Sequence, residues 1–350
     1  MCNKKSLNLP RRMRRLRSTA AIRNLVRETV VRPDELIQPL FVKEDDGPSE
    51  PIETMPGQLR YNLVDFVEEC KELHRLGISG IAPFPQVNNS HKTPEGLECL
   101  REDTIMLRAI REVKKAVPDL LIFADLALDP YTSHGHDGPL NEAGNDVLND
   151  ETVDILCQMA VASAKAGADF VAPSDMMDGR IGAIRSALDE AGYKNVGIFA
   201  YSVKFDSAYY GPFRDAVGSK HSNGASTISK ATYQADPRSP RQAILDCLLD
   251  EDEGADMLMV KPAALYLDII YRLKEQTFLP IGAYQISGEY SQIKAAEKLG
   301  WLDYRRIRDE SIIAIKRAGA DLILTYFAKE LAEEESQSPV LDLDEEVEGI

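Results

Sequence analysis

The sequence lacks paired cysteines, membrane-length apolar runs and an excess of positive charge. Its five cysteines include no CxxC pair, which favours reduced thiols in a cytoplasmic protein over disulfides or a thiolate zinc site. A membrane-spanning helix needs about 20 apolar residues in a row, and no apolar run in the chain is close to that length. The N-terminal residues also lack the apolar segment of a signal peptide. The net charge of −16 argues against nucleic acid as a partner. We therefore expect a cytoplasmic protein that binds neither membranes nor nucleic acids.

The glycine-rich loops of nucleotide-binding proteins are also missing. Neither GxGxxG nor GxxxxGKS/T occurs in the chain, so the main sequence signals of dinucleotide-binding and P-loop folds are absent. The chain has 350 residues, of which 44% are hydrophobic. This length and composition suit one large α/β domain.

The two ends of the chain differ in composition from its centre. Residues 1–33 combine many arginines with apolar residues, some at helical spacing, and precede the first buried run. They predict an N-terminal arm outside the main domain. Residues 332–350 are acidic and poor in apolar side chains, which is typical of a disordered tail. An acidic domain with a basic arm also indicates self-association.

Eight short apolar runs alternate with segments of helical periodicity. The runs are residues 36–42, 78–84, 120–128, 170–173, 196–202, 255–260, 280–286 and 322–327. Gly-Ala-Asp triplets at 167–169, 254–256 and 319–321 precede three of them, as expected where a helix ends at glycine and a strand begins. The pattern predicts a (β/α)8 TIM barrel over residues 34–331 with every second unit alike. A doubly wound open sheet is the alternative.

Two lysines end adjacent predicted strands. Lys261 follows a run that would be buried on both faces, and Lys204 closes the strand before it. Burial disfavours an ammonium group, and two neighbouring ammonium groups repel, so at least one amine is driven toward its neutral form. A neutral lysine amine can attack a carbonyl and form a Schiff base. The alternative is two unrelated lysines that reach the surface along their aliphatic stems.

Several longer motifs closely resemble those of the porphobilinogen synthases, also called 5-aminolaevulinate dehydratases. They are Tyr-Ser-Val-Lys-Phe at 201–205, Tyr-Gly-Pro-Phe-Arg at 210–214, Met-Val-Lys-Pro at 259–262, Ala-Pro-Ser-Asp-Met-Met-Asp-Gly-Arg at 172–180 and Gln-Ile-Ser-Gly-Glu at 285–289. The likeness extends from about residue 11 to about residue 331. It implies the condensation of two 5-aminolaevulinate molecules to porphobilinogen, with loss of two waters, in tetrapyrrole (heme and chlorophyll) biosynthesis.

The resemblance also implies roles for individual residues. Lys204 and Lys261 would each form a Schiff base with one substrate. The insertion at 205–240 would be an active-site lid. The positions matching the family's substrate-binding residues are Arg214, Lys230 and Gln234 for one carboxylate, Ser287 and Tyr326 for the other, and Asp125, Ser174 and Asp175 along the site.

The resemblance predicts a site without zinc or an organic cofactor. Zinc-dependent members have three cysteines where this chain has Ala127, Asp129 and Asp137, so it is similar to the aspartate-rich branch. Carboxylates suit magnesium or a monovalent ion better than zinc. His134 and His136 would serve loop structure or substrate polarisation rather than zinc binding.

An activating magnesium ion is implied at a second place. Asp246 matches a glutamate that holds this ion, away from the active site, in related proteins of the same branch. A single carboxylate can hold a hydrated magnesium ion. The alternative is a solvated aspartate on a helix surface.

The resemblance further implies a homo-oligomer, an octamer assembled through the N-terminal arms. Two other functions remain open. A class I aldolase also uses a Schiff-base lysine on a barrel, but it needs only one, and it would make no pyrrole. A non-catalytic barrel that serves in assembly would not need Lys204, Lys261, Arg214 and Ser287 together.

Overall fold

The described residues, 9–219 and 228–337, form ten strands and eleven α-helices in a computed structural model. The strands are β1 (Leu36–Lys43), β2 (Glu50–Pro51), β3 (Leu59–Tyr61), β4 (Gly80–Gln86), β5 (Leu121–Leu126), β6 (Phe170–Pro173), β7 (Gly197–Lys204), β8 (Met257–Lys261), β9 (Ile281–Gln285) and β10 (Leu322–Thr325). The helices are α1 (Ala20–Leu25), α2 (Leu63–Arg75), α3 (Ile105–Ala116), α4 (Asn149–Ala166), α5 (Arg180–Glu190), α6 (Gly211–Ala216), α7 (Pro240–Asp252), α8 (Leu267–Lys274), α9 (Ser287–Lys298), α10 (Tyr304–Ala318) and α11 (Ala328–Gln337).

Eight of the strands close into a parallel barrel. Their order is β1-β4-β5-β6-β7-β8-β9-β10, and β10 pairs with β1 through Leu36 and Ile323. Every residue of β1 is buried, as expected for a strand covered on both faces. The predicted TIM barrel is confirmed. The open-sheet alternative is wrong because the β10–β1 pairing leaves no edge.

The Gly-Ala-Asp triplets join neighbouring strands at the amino end of the barrel. Each glycine has a positive φ, between 103° and 122°, and ends a helix in the left-handed conformation that glycine tolerates best. Each aspartate then accepts a hydrogen bond from the backbone N–H of the preceding strand. The donors are Ile122 to Asp169 at 2.8 Å, Ile198 to Asp256 at 2.7 Å and Ile281 to Asp321 at 2.9 Å. The three Gly-Ala-Asp triplets therefore help to fix the register between neighbouring strands.

The structure departs from the sequence prediction in two connecting segments. Apolar residues at helical spacing over 97–117 predict one helix, but the structure breaks it: Leu97–Leu100 form a 3₁₀ turn, and Thr104 then caps α3 by accepting from the Leu107 N–H at 3.3 Å. The sequence of the insertion at 205–240 shows no helical period and predicts no helix there, yet the structure forms α6 within it. The short antiparallel hairpin of β2 and β3 beside the barrel was also missed.

The segments outside the barrel are partly described. The arm contains α1, and several of its apolar side chains are exposed. At the other end, α11 continues six residues beyond the predicted boundary at 331, with Leu331 and Ala332 buried. Residues 338–350 of the predicted disordered tail and 220–227 of the predicted lid lie outside the described residues. No helix among the described residues is long and apolar enough to span a membrane.

Candidate active site

Lys204 and Lys261 lie side by side at the carboxyl end of the barrel. They are the last residues of β7 and β8 and are paired across the two strands. Both are buried, with 7% and 5% of their surfaces exposed. The register therefore brings together the two lysines that the sequence predicted as neighbours.

Lys261 is enclosed by aromatic rings. Its Nζ lies 4.7 to 5.3 Å from four ring centroids, those of Tyr201, Tyr210, Phe213 and Tyr284. Ring faces favour an ammonium group, but burial, reinforced by the charge of Lys204, lowers the pKa of Lys261 to about 7. A large fraction of this amine is therefore neutral, and hence nucleophilic, at neutral pH.

Lys204 has the opposite electrostatic environment. Its Nζ donates to the Ser174 carbonyl at 2.6 Å and to Oδ1 of Asp137 at 3.3 Å. Burial would lower the pKa of Lys204, but nearby carboxylates, first Asp137 and then Asp129, raise it above its ordinary value. The pair thus consists of one charged lysine and one lysine that titrates near neutrality.

Asp137 connects Lys204 to the predicted lid. Its Oδ2 accepts from Lys230 Nζ at 2.6 Å and from the Tyr233 hydroxyl at 2.8 Å. Burial disfavours this carboxylate, but the charges of Lys204 and Lys230 hold the pKa of Asp137 well below its usual range. A permanently charged carboxylate therefore links the lysine to the Lys230 segment.

Two further aspartates face the lysines. Burial raises the pKa of Asp125 to about 7, although Lys261 opposes the shift, and burial together with Asp137 raises the pKa of Asp129. The Ser174 hydroxyl bonds to Asp125, whereas Oδ1 of Asp125 has no hydrogen-bond partner among the described residues. Asp125 can therefore exchange a proton near neutral pH.

A small cavity lies over the two lysines. It is lined by Phe84, Asp125, Asp129, Ser174, Lys204, Tyr210, Phe213, Arg214, Lys230, Gln234 and Lys261. Gln234 is buried, and neither its amide oxygen nor its amide nitrogen has a partner among the described residues. Buried polar groups usually have partners, so this amide is available for a ligand. Arg214, Lys230 and Gln234 thus surround one part of the cavity.

Three of the predicted substrate-binding residues, Ser287, Tyr326 and Asp175, are not among those that line the cavity. Ser287 Oγ accepts from the Phe213 N–H at 3.0 Å, and the hydroxyls of Tyr326 and Tyr284 are 2.9 Å apart. Asp175 accepts from the Met177 N–H at 2.7 Å, and its other oxygen lies 3.7 Å from Arg180 Nε. The structure places these three residues next to the lining residues rather than among them.

His134 and His136 hold the loop that carries Asp137. His134 Nε2 lies 2.9 Å from the Pro94 carbonyl, and His136 Nδ1 lies 3.0 Å from the Tyr233 hydroxyl. The His136 backbone N–H donates to His134 Nδ1 at 3.2 Å. These contacts match the loop-structure interpretation of the two histidines.

Two places offer ligands for a cation. Asp246 borders a cavity of about 450 Å³ together with Asp178, Asp250 and Glu253. Burial, with Asp250 nearby, raises the pKa of Asp246 to about 6 because both disfavour its charged form. A bound divalent cation would favour the charged form again. A second group, Glu44, His91 and Glu98, has ligand atoms within 4.8 Å of one another; its Glu44 and His91 already share a hydrogen bond of 2.9 Å.

Sequence reasoning missed the aromatic enclosure of Lys261 and the contact of Tyr233 with Asp137. The four rings come from β7, from the insertion and from β9, so no single motif contains them. The only sequence signal was the presence of aromatic residues near the ends of these strands.

Comparisons with known proteins agree on one family. A family model described as "Delta-aminolevulinic acid dehydratase" matches residues 10–334. The delta-aminolevulinic acid dehydratase of Chlamydia pneumoniae is 48% identical over 323 residues, covering 92% of this chain and 96% of that protein. A chloroplastic relative of the same name from Arabidopsis thaliana is 46% identical over 329 residues, covering 94% of this chain and 75% of that protein.

A solved structure gives the same result. It is a crystal structure of delta-aminolevulinic acid dehydratase (porphobilinogen synthase) from Toxoplasma gondii ME49 in complex with the reaction product porphobilinogen. It has a TM-score of 0.92 and 43% sequence identity, and the match covers 99% of this chain and 97% of that chain. The similarity therefore includes the barrel, the strand ends and the segments around the cavity.

Proposed function

The chain belongs to the delta-aminolevulinic acid dehydratase family, and we propose that Lys204 and Lys261 carry out its chemistry as two Schiff-base lysines. The reaction is that of a hydro-lyase, which condenses two 5-aminolaevulinate molecules to porphobilinogen and releases two waters. The observation that carries the proposal is the pairing of the two lysines at adjacent strand ends, one charged and one titrating near neutral pH.

Lys261 is the better placed first nucleophile. Its neutral amine attacks the ketone of one 5-aminolaevulinate, the ketone oxygen leaves as water, and a carbon–nitrogen double bond to Nζ forms. The aromatic rings around Nζ keep bulk water away from this bond. Asp125, which lines the same cavity and has one oxygen without a hydrogen-bond partner among the described residues, is suited to exchange the protons that this step requires.

Lys204 begins as an ammonium group and needs to lose its proton before it can react. Asp137 and the Ser174 carbonyl hold it in place. Lys230 also donates to Asp137, so a substrate carboxylate that binds Lys230 would compete with Asp137 for the ammonium group of Lys230. Loss of the Lys230 contact would make Asp137 more basic, and this carboxylate is then better able to accept the proton that Lys204 gives up.

The substrate carboxylates have two sets of candidate partners. Arg214, Lys230 and Gln234 line the cavity and offer charged and amide donors for one carboxylate. Ser287 and Tyr326 are proposed for the other carboxylate, which requires the Ser287 hydroxyl to turn its proton from the Tyr209 carbonyl to the substrate. Asp175, which follows β6 directly after Ser174, is held by Arg180 and by the turn at Met177.

The cavity has to enlarge before two substrates bind. It holds about 20 Å³, enough for a water molecule. The side chains over the lysines come largely from the insertion, including Tyr210, Phe213 and Lys230. We expect this segment to move outward when substrate enters and to close over it afterwards.

Two assays test the function. Incubation with 5-aminolaevulinate should yield a pyrrole, detected by a colour reaction, and borohydride should trap adducts on Lys204 and Lys261, located by peptide mass spectrometry. A class I aldolase would give an adduct on one lysine and no pyrrole. Trapping on neither lysine would contradict the Schiff-base mechanism even if the pyrrole forms.

Magnesium is proposed at Asp246. Asp246 lines its cavity together with Asp178, while Asp250 there is paired with Arg180 at 3.1 Å. The Asp246 carboxylate fits a hydrated divalent cation, because one oxygen ligand suffices when waters complete the shell. There the ion would neutralise carboxylate repulsion and support assembly. Magnesium should raise the thermal midpoint of the wild-type protein but not of Asp246→Ala, whereas an equal shift in both would exclude this residue as the ligand.

The proposed assembly is a homo-octamer formed through the N-terminal arms, and the proposed location is the cytoplasm. Support for assembly comes from the exposed apolar side chains of the arm, including Leu25 and Val30. Such surfaces usually mark contacts with another chain.

A further inference from the structure

Glu289 is a buried carboxylate outside the cavity. It is the third residue of α9 and has 1% of its surface exposed. It is not among the residues that line the cavity over the lysines. Burying a charged group costs free energy unless the group is fully hydrogen-bonded. The hydrogen bonds of Glu289 therefore indicate its structural role.

The carboxylate bridges two separate segments of backbone. Oε1 accepts from the Ala264 N–H at 2.7 Å, and Oε2 accepts from the Ile286 N–H at 2.8 Å. The neighbouring N–H groups of Ala263 and Leu265 also bond to it. One carboxylate therefore occupies a concave turn of three successive N–H groups and, at the same time, caps the start of α9.

Both segments carry active-site groups. Ala263 lies two residues after Lys261, so the turn that Glu289 holds is the continuation of the strand that presents this lysine. Ser287 lies between Ile286 and Glu289, and its Oγ accepts from the Phe213 N–H at 3.0 Å. The Phe213 ring is in turn one of the four around Lys261 Nζ, at 5.3 Å.

We propose that Glu289 is a positioning residue for Lys261, locking the turn after this lysine to the start of α9 so that the amine, Ser287 and Phe213 keep one geometry. The proposal rests on the Schiff-base function proposed above for Lys261. Displacements of about 1 Å cost up to about 100-fold in rate when reacting groups are held in place by their surroundings. Within the described ranges, Lys204 makes no hydrogen bond to Glu289; its side-chain partners are Asp137 and Ser174.

The ionised form of Glu289 suits this role, because both of its oxygens accept hydrogen bonds. Burial raises the pKa of Glu289 to about 7, while the four backbone N–H groups favour the charged form. The titratable groups that face it are the hydroxyls of Tyr210 and Tyr266. An amide in its place offers one acceptor oxygen and turns an N–H₂ group toward backbone donors, so a glutamine keeps the shape but cannot hold both segments.

The test compares borohydride trapping at the two lysines separately. In full-length Glu289→Gln, adduct formation on Lys261 should slow by about tenfold or more relative to wild type, with little change on Lys204. Slowing of both lysines to the same degree would indicate a general structural role and overturn the proposal. Trapping of Lys261 at the wild-type rate would overturn it as well.

Two controls complete the experiment. Glu297→Gln changes an exposed carboxylate on the same helix and should leave both adducts unchanged. If Glu289→Gln fails to fold, the test uses Glu289→Asp instead. This variant keeps the carboxylate but is one methylene too short to reach both segments, so adduct formation on Lys261 should again slow while that on Lys204 does not. If the wild-type protein forms no adduct on Lys261, the Schiff-base function fails first, a result distinct from an unaffected Glu289 variant.

Discussion

At the scale of single residues, the candidate site contains two neighbouring lysines whose pKa values are shifted in opposite directions. The difference does not come from the lysines, which are chemically identical, but from what surrounds them: aromatic rings around Lys261 and carboxylates around Lys204. The neutral amine of Lys261 can thus act as a nucleophile next to the protonated amine of Lys204. This division of roles predicts the outcome of changes at either position.

Replacing Lys261 by alanine should abolish pyrrole formation and leave the fold intact. No neighbouring group can replace its amine, so turnover should fall by at least about 10³-fold. The cavity left inside the aromatic enclosure should cost only about 1–3 kcal/mol of unfolding free energy. Steady-state assays and thermal unfolding measure the two effects, and near-normal turnover would contradict the mechanism.

The pH dependence of the first adduct should follow the amine of Lys261. A pKa lowered to about 7 means that the neutral form grows from about one tenth at pH 6 to about nine tenths at pH 8. The rate of trapped-adduct formation should therefore rise about tenfold over this range and then level off. Asp125 titrates in the same range, so Asp125→Asn is the control that separates the two groups. A rate that keeps rising tenfold per pH unit above pH 9 would indicate an ordinary lysine.

Zinc-selective chelators should leave activity nearly unchanged. The positions that would supply thiolates hold Ala127, Asp129 and Asp137, and the oxygens of Asp137 are already bonded to Lys204, Lys230 and Tyr233. Carboxylates occupied by ammonium groups make a poor zinc site. Inactivation by such a chelator, reversed by zinc alone, would show that the chain is not of the aspartate-rich branch.

At the scale of elements, the hairpin of β2 and β3 supports the insertion. Arg60 donates from Nε to the Ala216 carbonyl at 2.7 Å and from Nη2 to the Asp215 carbonyl at 2.8 Å. These are among the last carbonyls of α6, which need partners at a helix end. Because α6 carries Arg214, the hairpin sets the position of a proposed carboxylate-binding group.

Removing this support should weaken substrate binding. Arg60→Ala leaves the two carbonyls without their donor, so α6 should shift and the KM for 5-aminolaevulinate should rise by about tenfold, with a smaller fall in kcat. Arg101→Ala, which removes an arginine from exposed ion pairs, is the matched control and should change neither constant. An unchanged KM in Arg60→Ala would show that α6 holds its position without the hairpin.

The same scale shows what the sequence could predict. Strands with continuous apolar runs and helices that end at glycine were found because each signal lies within one segment. The neighbouring lysines were found because parallel strand ends meet at one face of a barrel. The enclosure of Lys261 and the contacts of Glu289 were not found, because they join residues of different segments whose approach depends on turn geometry. The break before Thr104 was missed because apolar spacing continues across it.

At the scale of the whole molecule, the N-terminal arm contributes no strand to the barrel and leaves apolar side chains exposed. In the described residues, Leu16, Leu25, Val26 and Val30 are each at least 45% exposed, and the arm is rich in arginine. A surface of this kind, on a protein with a net charge of −16, is suited to wrap an acidic neighbouring barrel. Exchange of such arms usually produces closed symmetric assemblies.

Deleting the arm should therefore reduce the size of the assembly. Sedimentation of the full chain and of a chain that starts near Arg32 should show a large oligomer for the first and a smaller species for the second. The single change Leu25→Asp should weaken assembly in the same direction, because it places a charge among apolar contacts, whereas Val64→Asp on the barrel, where Val64 is 73% exposed, is the matched control. Magnesium should shift the balance toward the larger species if it binds that form preferentially. Equal sizes with and without the arm would exclude its part in assembly, and a fully active monomer of the full chain would exclude the oligomer itself.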